Sequence, residues 1–290
     1  MRAIRVREFG EPSVLQLQEV PTPEPGPGEV LIQVRAVGVN PAETYVRTGR
    51  YAMLPPLPYT PGSDGAGVIT KLGSGVEGRA VGDRVYFFGT AAGRGVGAYA
   101  EFAVAAANRL QRLPERVSFA QGAAIGVPYA TAHRALLGRA AARSGETVFI
   151  HGASGGVGTA AVQIARWQGL TVIGTAGTPE GAEVVRKLGA HHVVNHREAG
   201  YLDRVRELTN GVGPAIILEM LANVNLDLDL GLVAKGGRVV VIGNRGRIEI
   251  DPRQTMSKDS TILGMSLWNA SDAELDAIYA DLGRGLESGA

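Results

Sequence analysis

The sequence contains no cysteine. That excludes disulfides, a thiolate nucleophile and any cysteine-ligated metal. It also has almost no net charge, +1 at neutral pH, so it lacks the basic footprint that nucleic acid or an anionic membrane requires. No apolar run approaches the roughly 20 residues of a membrane span. The opening eight residues, MRAIRVRE, carry no apolar signal core, which makes the cytoplasm the expected compartment. Internal repeats and low-complexity tracts are missing as well. Glycine, by contrast, is abundant: 41 of 290 residues, about twice average usage, which implies many tight turns. With 45% hydrophobic and 20% charged residues, the chain can bury a sizeable core and is long enough for two domains.

Up to about residue 107 the pattern is short alternating segments broken by Gly and Pro. Strands are expected at 15–20, 30–37, 65–73 and 99–104 and a turn-to-strand unit at 82–88, with a proline-dense connector at 21–29 that continues neither neighbour. An irregular, mostly antiparallel β domain is the consequence. From Ser118 the character changes. Alanine-rich, helix-compatible stretches at 119–124 and 129–142 lead into strands at 147–150, 170–175, 192–195, 215–219, 238–243 and 261–267. Helices are expected between and after them, at 159–168, 179–188, 201–209, 226–232 and 272–282. Interleaved strands and helices argue for a parallel sheet covered on both faces. The fold class is therefore α/β, a Rossmann-type doubly wound parallel sheet plus the antiparallel β domain.

One stretch carries the chemistry. Thr147-Val148-Phe149-Ile150 suits a strand buried on both faces, Thr159 to Arg166 suits a helix, and between them lies His151-Gly152-Ala153-Ser154-Gly155-Gly156-Val157-Gly158. A dinucleotide-binding loop needs this context, because backbone must approach a pyrophosphate closely and a helix N-terminus must offer free N–H groups. Against G-x-G-x-x-G the first glycine falls on Ala153, the second on Gly155 and the third on Gly158; a shifted register, Gly156, Gly158 and Ala161, also fits the relaxed pattern. About 20 residues on, an NAD-preferring site carries Asp or Glu. Here that region is Gly174-Thr175-Ala176-Gly177-Thr178, with Glu180 past the expected position, so a 2′-phosphate would not be repelled. No general-acid pair or nucleophilic triad is recognisable, which leaves hydrolysis and acyl transfer without support. The neighbours His191 and His192 would point to opposite faces of a strand, a poor start for a metal site.

The runs Gly38-Val39-Asn40-Pro41-Ala42-Glu43-Thr44-Tyr45, Pro58-Tyr59-Thr60-Pro61-Gly62-Ser63-Asp64, Gly126-Val127-Pro128-Tyr129-Ala130-Thr131-Ala132, Asn195-His196-Arg197-Glu198 and Glu219-Met220-Leu221-Ala222-Asn223-Val224-Asn225, with the glycine loop, resemble the zeta-crystallin-like NADPH:quinone reductases. These form the zinc-free branch of the medium-chain dehydrogenase/reductase superfamily, and the resemblance spans essentially the whole chain. It implies a GroES-like catalytic domain over 1–122 and an NADPH-binding Rossmann domain over 123–267. It further implies a helix in 268–290 that starts the return to the catalytic domain, whose closing segment the sequence does not include.

Zinc-using relatives hold their metal with cysteine and with histidine in a Gly-His-Glu run. The matching positions here are Asn40 and Gly62-Ser63-Asp64, which cannot build a tetrahedral zinc site, so no metal is expected. The resemblance implies NADPH contacts at Tyr45, Ser154, Gly155, Gly156, Val157, Gly158, Gly177, Thr178, His196, Asn225, Ile242, Gly243, Asn244, Arg245, Met265, Ser266 and Leu267. His196 could equally be an ordinary loop histidine, and Asn225 would otherwise pass as a helix cap. On the substrate side Asn40, Tyr45, Tyr51, Asp64 and Thr131 are candidates, with Asn40, Tyr45 and Thr131 as the catalytic set. The expected activity is zinc-independent reduction of a small-molecule quinone, or a related enone, held between the two domains. The alternative is an NADPH-binding structural or regulatory protein with little turnover. Pairing of the 261–267 strand in a homodimer, extendable to a homotetramer, is expected as well.

Overall fold

The computed structural model describes residues 1–90 and 92–289. The chain divides into two compact units, Met1–Val127 with Tyr279–Glu287, and Pro128–Ile278 with 288–290.

The first unit holds β1 (Arg2–Arg5), β2 (Gln16–Glu19), β3 (Glu29–Val37), α1 (Pro41–Arg47), β4 (Asp64–Leu72), β5 (Arg84–Phe88), β6 (Phe102–Ala106), β7 (Leu110–Arg112) and α2 (Phe119–Ala123). β1 and β2 pair on their own; the others form an antiparallel sheet in the order β6-β3-β4-β5-β7. Val30, Ile32, Ile69, Val85, Phe87, Ala103, Ala105 and Leu110 meet in one buried cluster. They derive from the alternating apolar positions that a strand directs to one face. The β3–β4 ladder slips at Leu31/Ile32 and at Val34/Ala36. Gly67 lies where a Cβ would run into the Gln33 carbonyl, the close backbone approach that an interior strand glycine signals. α1 falls where the sequence suggested no element. Its start carries the local signals of a helix, an Asn40–Glu43 capping box and a proline at the first position, but it is only seven residues long and buries no side chain, so its apolar pattern gave little sign of it.

The second unit follows the helix α3 (Gly126–His133), which continues as a π-helical turn, Arg134–Arg139. Then come β8 (Thr147–Ile150), α4 (Gly156–Trp167), β9 (Thr171–Ala176), α5 (Pro179–Lys187), β10 (His192–Asn195), α6 (Tyr201–Leu208), β11 (Ile216–Glu219), α7 (Ala222–Leu232), β12 (Arg238–Val241), α8 (Pro252–Lys258), β13 (Thr261–Gly264) and α9 (Asp272–Ser288). Among the described residues the sheet is parallel throughout, in the order β10-β9-β8-β11-β12-β13. In chain order this is 3-2-1-4-5-6, whose reversal between β8 and β11 marks the ligand crevice of a dinucleotide fold. Phe149, Ile173, Val194, Ile217 and Val239 from the strands join Val205, Leu230 and Leu232 from the helices in its core. Several expected bounds shift here: α4 begins at Gly156 rather than 159, and α9 runs to Ser288 rather than ending at 282. The last strand stops at Gly264, because the chain turns there toward a 3-10 turn at Leu267–Asn269. The helix expected at 226–232 begins four residues earlier, at Ala222. Within α9, Tyr279 belongs to the first unit, where its hydroxyl donates to the Gly126 carbonyl at 3.2 Å and its ring packs on Tyr86 and Phe88.

Candidate active site

In the second unit the loop after β8 is built as an anion cradle. Gly152 adopts φ +56, the left-handed conformation that favours glycine. The turn is fastened to β9: the Gly152 N–H donates to Thr175 Oγ1 at 2.9 Å and the Ala153 N–H to the Thr175 carbonyl at 2.8 Å. α4 starts at Gly156 with extended Gly155 as its N-cap. Ser154, Gly155 and Gly156 are exposed, and the first-turn N–H groups of a helix have no intrahelical acceptor. Gly158 is buried, and a Cβ there would overlap the Gly152 carbonyl and approach the Ala153 Cα to 2.6 Å. Gly158 is therefore the glycine that lets helix and strand pack, which selects the register Ala153, Gly155 and Gly158. The tight turn falls on Gly152, one residue before the first position of that register.

The neighbouring loops at the carboxyl ends of the strands adjoin this cradle. Ser154 lies against Gly181 at the start of α5, within 3.2 Å of where a Cβ would stand. Thr178 caps α5, its Oγ1 accepting the Gly181 N–H at 3.1 Å. A Cβ on Gly177 would come within 2.8 Å of His196 Nε2 and 2.9 Å of Arg197 Nε, so three residues from two loops share one corner. Burial, then the charge of Arg197, holds the His196 imidazole below its ordinary range. Arg197 was not singled out in the sequence. Its signal was there, a cation in the loop after β10 facing a loop after β9 with no carboxylate. Only the parallel pairing of β9 with β10 brings the two together.

Across the switch point Gly243 sits where a Cβ would overlap the Met220 carbonyl, and the Ala222 N–H donates to the Gly243 carbonyl at 2.9 Å. The Arg245 N–H donates to Asn223 Oδ1 at 2.9 Å, and Asn244 Nδ2 to the Gly246 carbonyl at 2.7 Å. Asn225 is not a cap: Leu221 holds that position, and the Asn225 amide donates to Glu219 Oε1 at 3.2 Å. Ile242, Gly243 and Asn244 line one depression with Met265, Ser266 and Arg134. Arg134, buried and absent from the sequence expectations, donates to the Ser266 carbonyl at 2.8 Å and so fixes the turn after β13. Leu267 is buried at the start of the 3-10 turn. Thr131 is buried on α3.

In the first unit Asn40 and Asp64 are both buried, and Asn40 Nδ2 donates to Asp64 Oδ1 at 2.8 Å. The other carboxylate oxygen accepts the Val127 N–H at 2.7 Å. Burial pushes the Asp64 carboxyl up to about 7, against the opposing effect of those two donors. Glu43, which sequence reading did not select, accepts from the Asn40 N–H, the Ser63 N–H and the Tyr99 hydroxyl at 2.9, 2.9 and 2.6 Å. Asn40 and Ser63 stand where the resemblance puts the cysteine and histidine ligands of zinc-using relatives, and the neighbouring carboxyls of Asp64 and Glu43 are paired to them by these hydrogen bonds. Tyr45, on α1, and Tyr51, beyond it, are half-buried.

A sheet of this order with a glycine cradle at its switch point defines a dinucleotide-binding protein of the dehydrogenase class. The zinc-binding dehydrogenase family profile matches residues 156–280 and the alcohol dehydrogenase GroES-like domain matches residues 26–115. The human quinone oxidoreductase is 52% identical over 290 residues, covering 100% of this chain and 87% of the relative. The rat quinone oxidoreductase is 53% identical with the same coverage. The crystal structure of Escherichia coli quinone oxidoreductase complexed with NADPH is 30% identical, with a TM-score of 0.87 over 100% of this chain and 89% of that one. The chain belongs to the zeta-crystallin-like quinone oxidoreductase family of the medium-chain dehydrogenase/reductase superfamily.

Proposed function

We propose that this protein is a zinc-independent NADPH:quinone oxidoreductase that reduces a small-molecule quinone or a related enone. The observation that carries the reading is the cradle at 152–158 followed by the Gly177–His196–Arg197 corner. The buried Gly158 and exposed Gly155 leave backbone N–H groups open to a pyrophosphate. At the corner, where an NAD site would place a carboxylate, an imidazole and a guanidinium flank a glycine, a chemistry suited to a 2′-phosphate. Tyr45, Ser154, Gly156, Val157, Thr178, Asn225, Ile242–Arg245 and Met265–Leu267 complete the proposed cofactor contacts. NADPH, when bound, supplies the reducing equivalents. The chain's own part is to bind and orient, with Asn40, Tyr45 and Thr131 as the proposed groups toward the acceptor. The Tyr45 hydroxyl would donate to a quinone oxygen, and Asp64 would hold the Asn40 side chain still.

Relatives and structural neighbours named as quinone oxidoreductases, one of them complexed with NADPH, support the same reading. The position of β13 at the sheet edge, with Ile262 exposed, supports assembly as a homodimer or homotetramer, since unpaired edge groups favour pairing with a second chain. No helix among the described residues is long and apolar enough to cross a membrane; a cytoplasmic location is part of the proposal. The test is direct. NADPH is mixed with an ortho-quinone and the nicotinamide absorbance followed, with and without a chelator. NADPH oxidation unaffected by the chelator is expected. Cofactor binding without turnover on any quinone or enone would overturn the enzymatic reading, and turnover lost on chelation and restored by zinc would overturn its metal independence.

A further inference from the structure

Below the proposed cofactor loops lies a cluster of titratable groups that the proposed chemistry does not use. His151 follows β8, Glu219 ends β11 and Asp229 sits on α7; the two carboxyls are fully buried and His151 is 4% exposed. His151 Nε2 stands 2.8 Å from Asp229 Oδ1 and 3.4 Å from Glu219 Oε2. Glu219 Oε1 accepts from the Leu221 N–H and from Asn225 Nδ2. Glu219 Oε2 and Asp229 Oδ2 are left with no hydrogen-bond donor.

Two ionised carboxylates cannot face each other in such a site without a severe desolvation and repulsion cost. Burial disfavours the charged imidazole of His151, and in the Nε2–H tautomer the ring donates its one Nε2 proton to Asp229. No lysine or arginine among the described residues pairs with either carboxyl. The remaining way to satisfy both orphaned oxygens is a hydrogen bond between the two acids. Burial, reinforced for Glu219 by that contact, pushes both carboxyls up to about 7. A metal fits less well. Two ligand atoms on a tetrahedral ion with bonds of about 2.0 Å stand roughly 3.3 Å apart, whereas the imidazole and Asp229 are at hydrogen-bond distance.

We propose that Glu219 and Asp229 share a single proton, and that this neutralised pair is the positioning element that holds Asn225 and the Leu221 backbone ready for the cofactor. The inference rests on the reading that Asn225 contacts NADPH. When the shared proton leaves, two negative charges are forced together. Glu219 is then driven from its place under Asn225, and cofactor affinity falls as pH rises through neutrality. The other titratable groups facing the cluster are His196, coupled to His151, and Tyr201 on α6, coupled to both acids. His196 is held low and the Tyr201 hydroxyl is raised by burial, so neither changes charge in the same interval.

The test measures NADPH dissociation constants at about pH 6.5 and about pH 8.5, on either side of the pair's titration, together with infrared spectra of the cofactor-free protein. The wild type should bind roughly tenfold more weakly at the higher pH. In the difference spectrum between wild type and Glu219→Gln, where the Asp64 carboxyl cancels, a protonated-carboxyl carbonyl stretch should be present at the lower pH and lost at the higher. Glu219→Gln replaces the acid proton with an amide donor while Oε1 still accepts from Leu221 and Asn225. It should bind within about twofold of the wild type at the lower pH and show no weakening at the higher. Asp229→Asn, whose amide donates to Glu219 Oε2, should flatten the profile in the same way. A wild-type profile that is already flat, a missing protonated-carboxyl band, or equal pH dependence in Glu219→Gln would overturn the proposal. So would a stoichiometric metal lost in Glu219→Gln. Absence of NADPH binding at both pH values would overturn the functional reading and the positioning role with it, whereas binding with a flat profile overturns the shared proton alone.

Discussion

Asn40 donates its side-chain amide to Asp64 at 2.8 Å, inside a unit where both residues are buried. Asn40 matches the place of a cysteine ligand in zinc-using relatives and Asp64 adjoins Ser63, the place of the histidine; here a hydrogen bond does the joining. Among the described residues Asp64 is the acceptor of the Asn40 amide from outside α1, and it also takes the Val127 N–H. Asp64→Ala would leave the buried Asn40 amide with only its longer contact to Glu43, at 3.4 Å, and would unpair the half-buried Val127 N–H, each unpaired donor costing about 1–3 kcal/mol. Chemical denaturation should show the first unit destabilised by roughly 2–5 kcal/mol.

The same carboxyl makes stability pH-dependent. Its folded value of about 7 lies above the ordinary 3.8, so the native state binds the proton more tightly than the unfolded chain does. The contribution is fully present below the unfolded value and is lost as pH rises through about 7, with an upper bound of about 4 kcal/mol. Asp64→Asn removes it. The difference in unfolding free energy between wild type and Asp64→Asn should therefore change between acid and neutral pH and then level off.

The nucleotide corner predicts selectivity. Arg197→Ala should weaken NADPH binding about tenfold, or 1.4 kcal/mol, and leave NADH nearly unchanged. Gly177→Asp would place a carboxylate between His196 and Arg197 and should shift preference toward NADH. Titration of both nucleotides by fluorescence checks this; equal dissociation constants for the unmutated protein would show that the corner does not select.

Two glycines of one loop should fail differently. At Gly155 a side chain would face open space beyond the Gly152 carbonyl, so Gly155→Val should fold and lose NADPH binding by filling the cradle. At Gly158 the added carbon meets backbone, so Gly158→Val should lower the melting temperature of the second unit. Tyr45→Phe should reduce quinone turnover less than either, since one neutral hydrogen bond is worth about 0.5–1.5 kcal/mol.

The edge strand offers an assembly test. Ile262→Lys on β13 puts a charge on an exposed apolar edge, a change that blocks strand pairing. Light scattering should report a multimer for the wild type and a lower mass for the variant.

Much of this was legible in the chain itself. The change from alternating segments to interleaved strands and helices gave two architectures, because side-chain period is local and hydrophobic burial follows it. The strands at 147–150 and 192–195 fall where the sequence put them, and the glycine loop at 151–158 carries its own geometric demand in residues a few positions apart. What it could not give depends on partners far along the chain. α1 is secured by Glu43 reaching Ser63 and Tyr99, 20 and 56 residues away, so its local apolar pattern left it unseen. Arg197 meets Gly177 only after β9 and β10 pair. His151, Glu219 and Asp229 look unremarkable in a strand end and a helix, with 78 residues separating the imidazole from the acid it touches. Residue type fixes what a group can do chemically, but whether it is charged, paired or buried is set by neighbours that only the folded chain supplies.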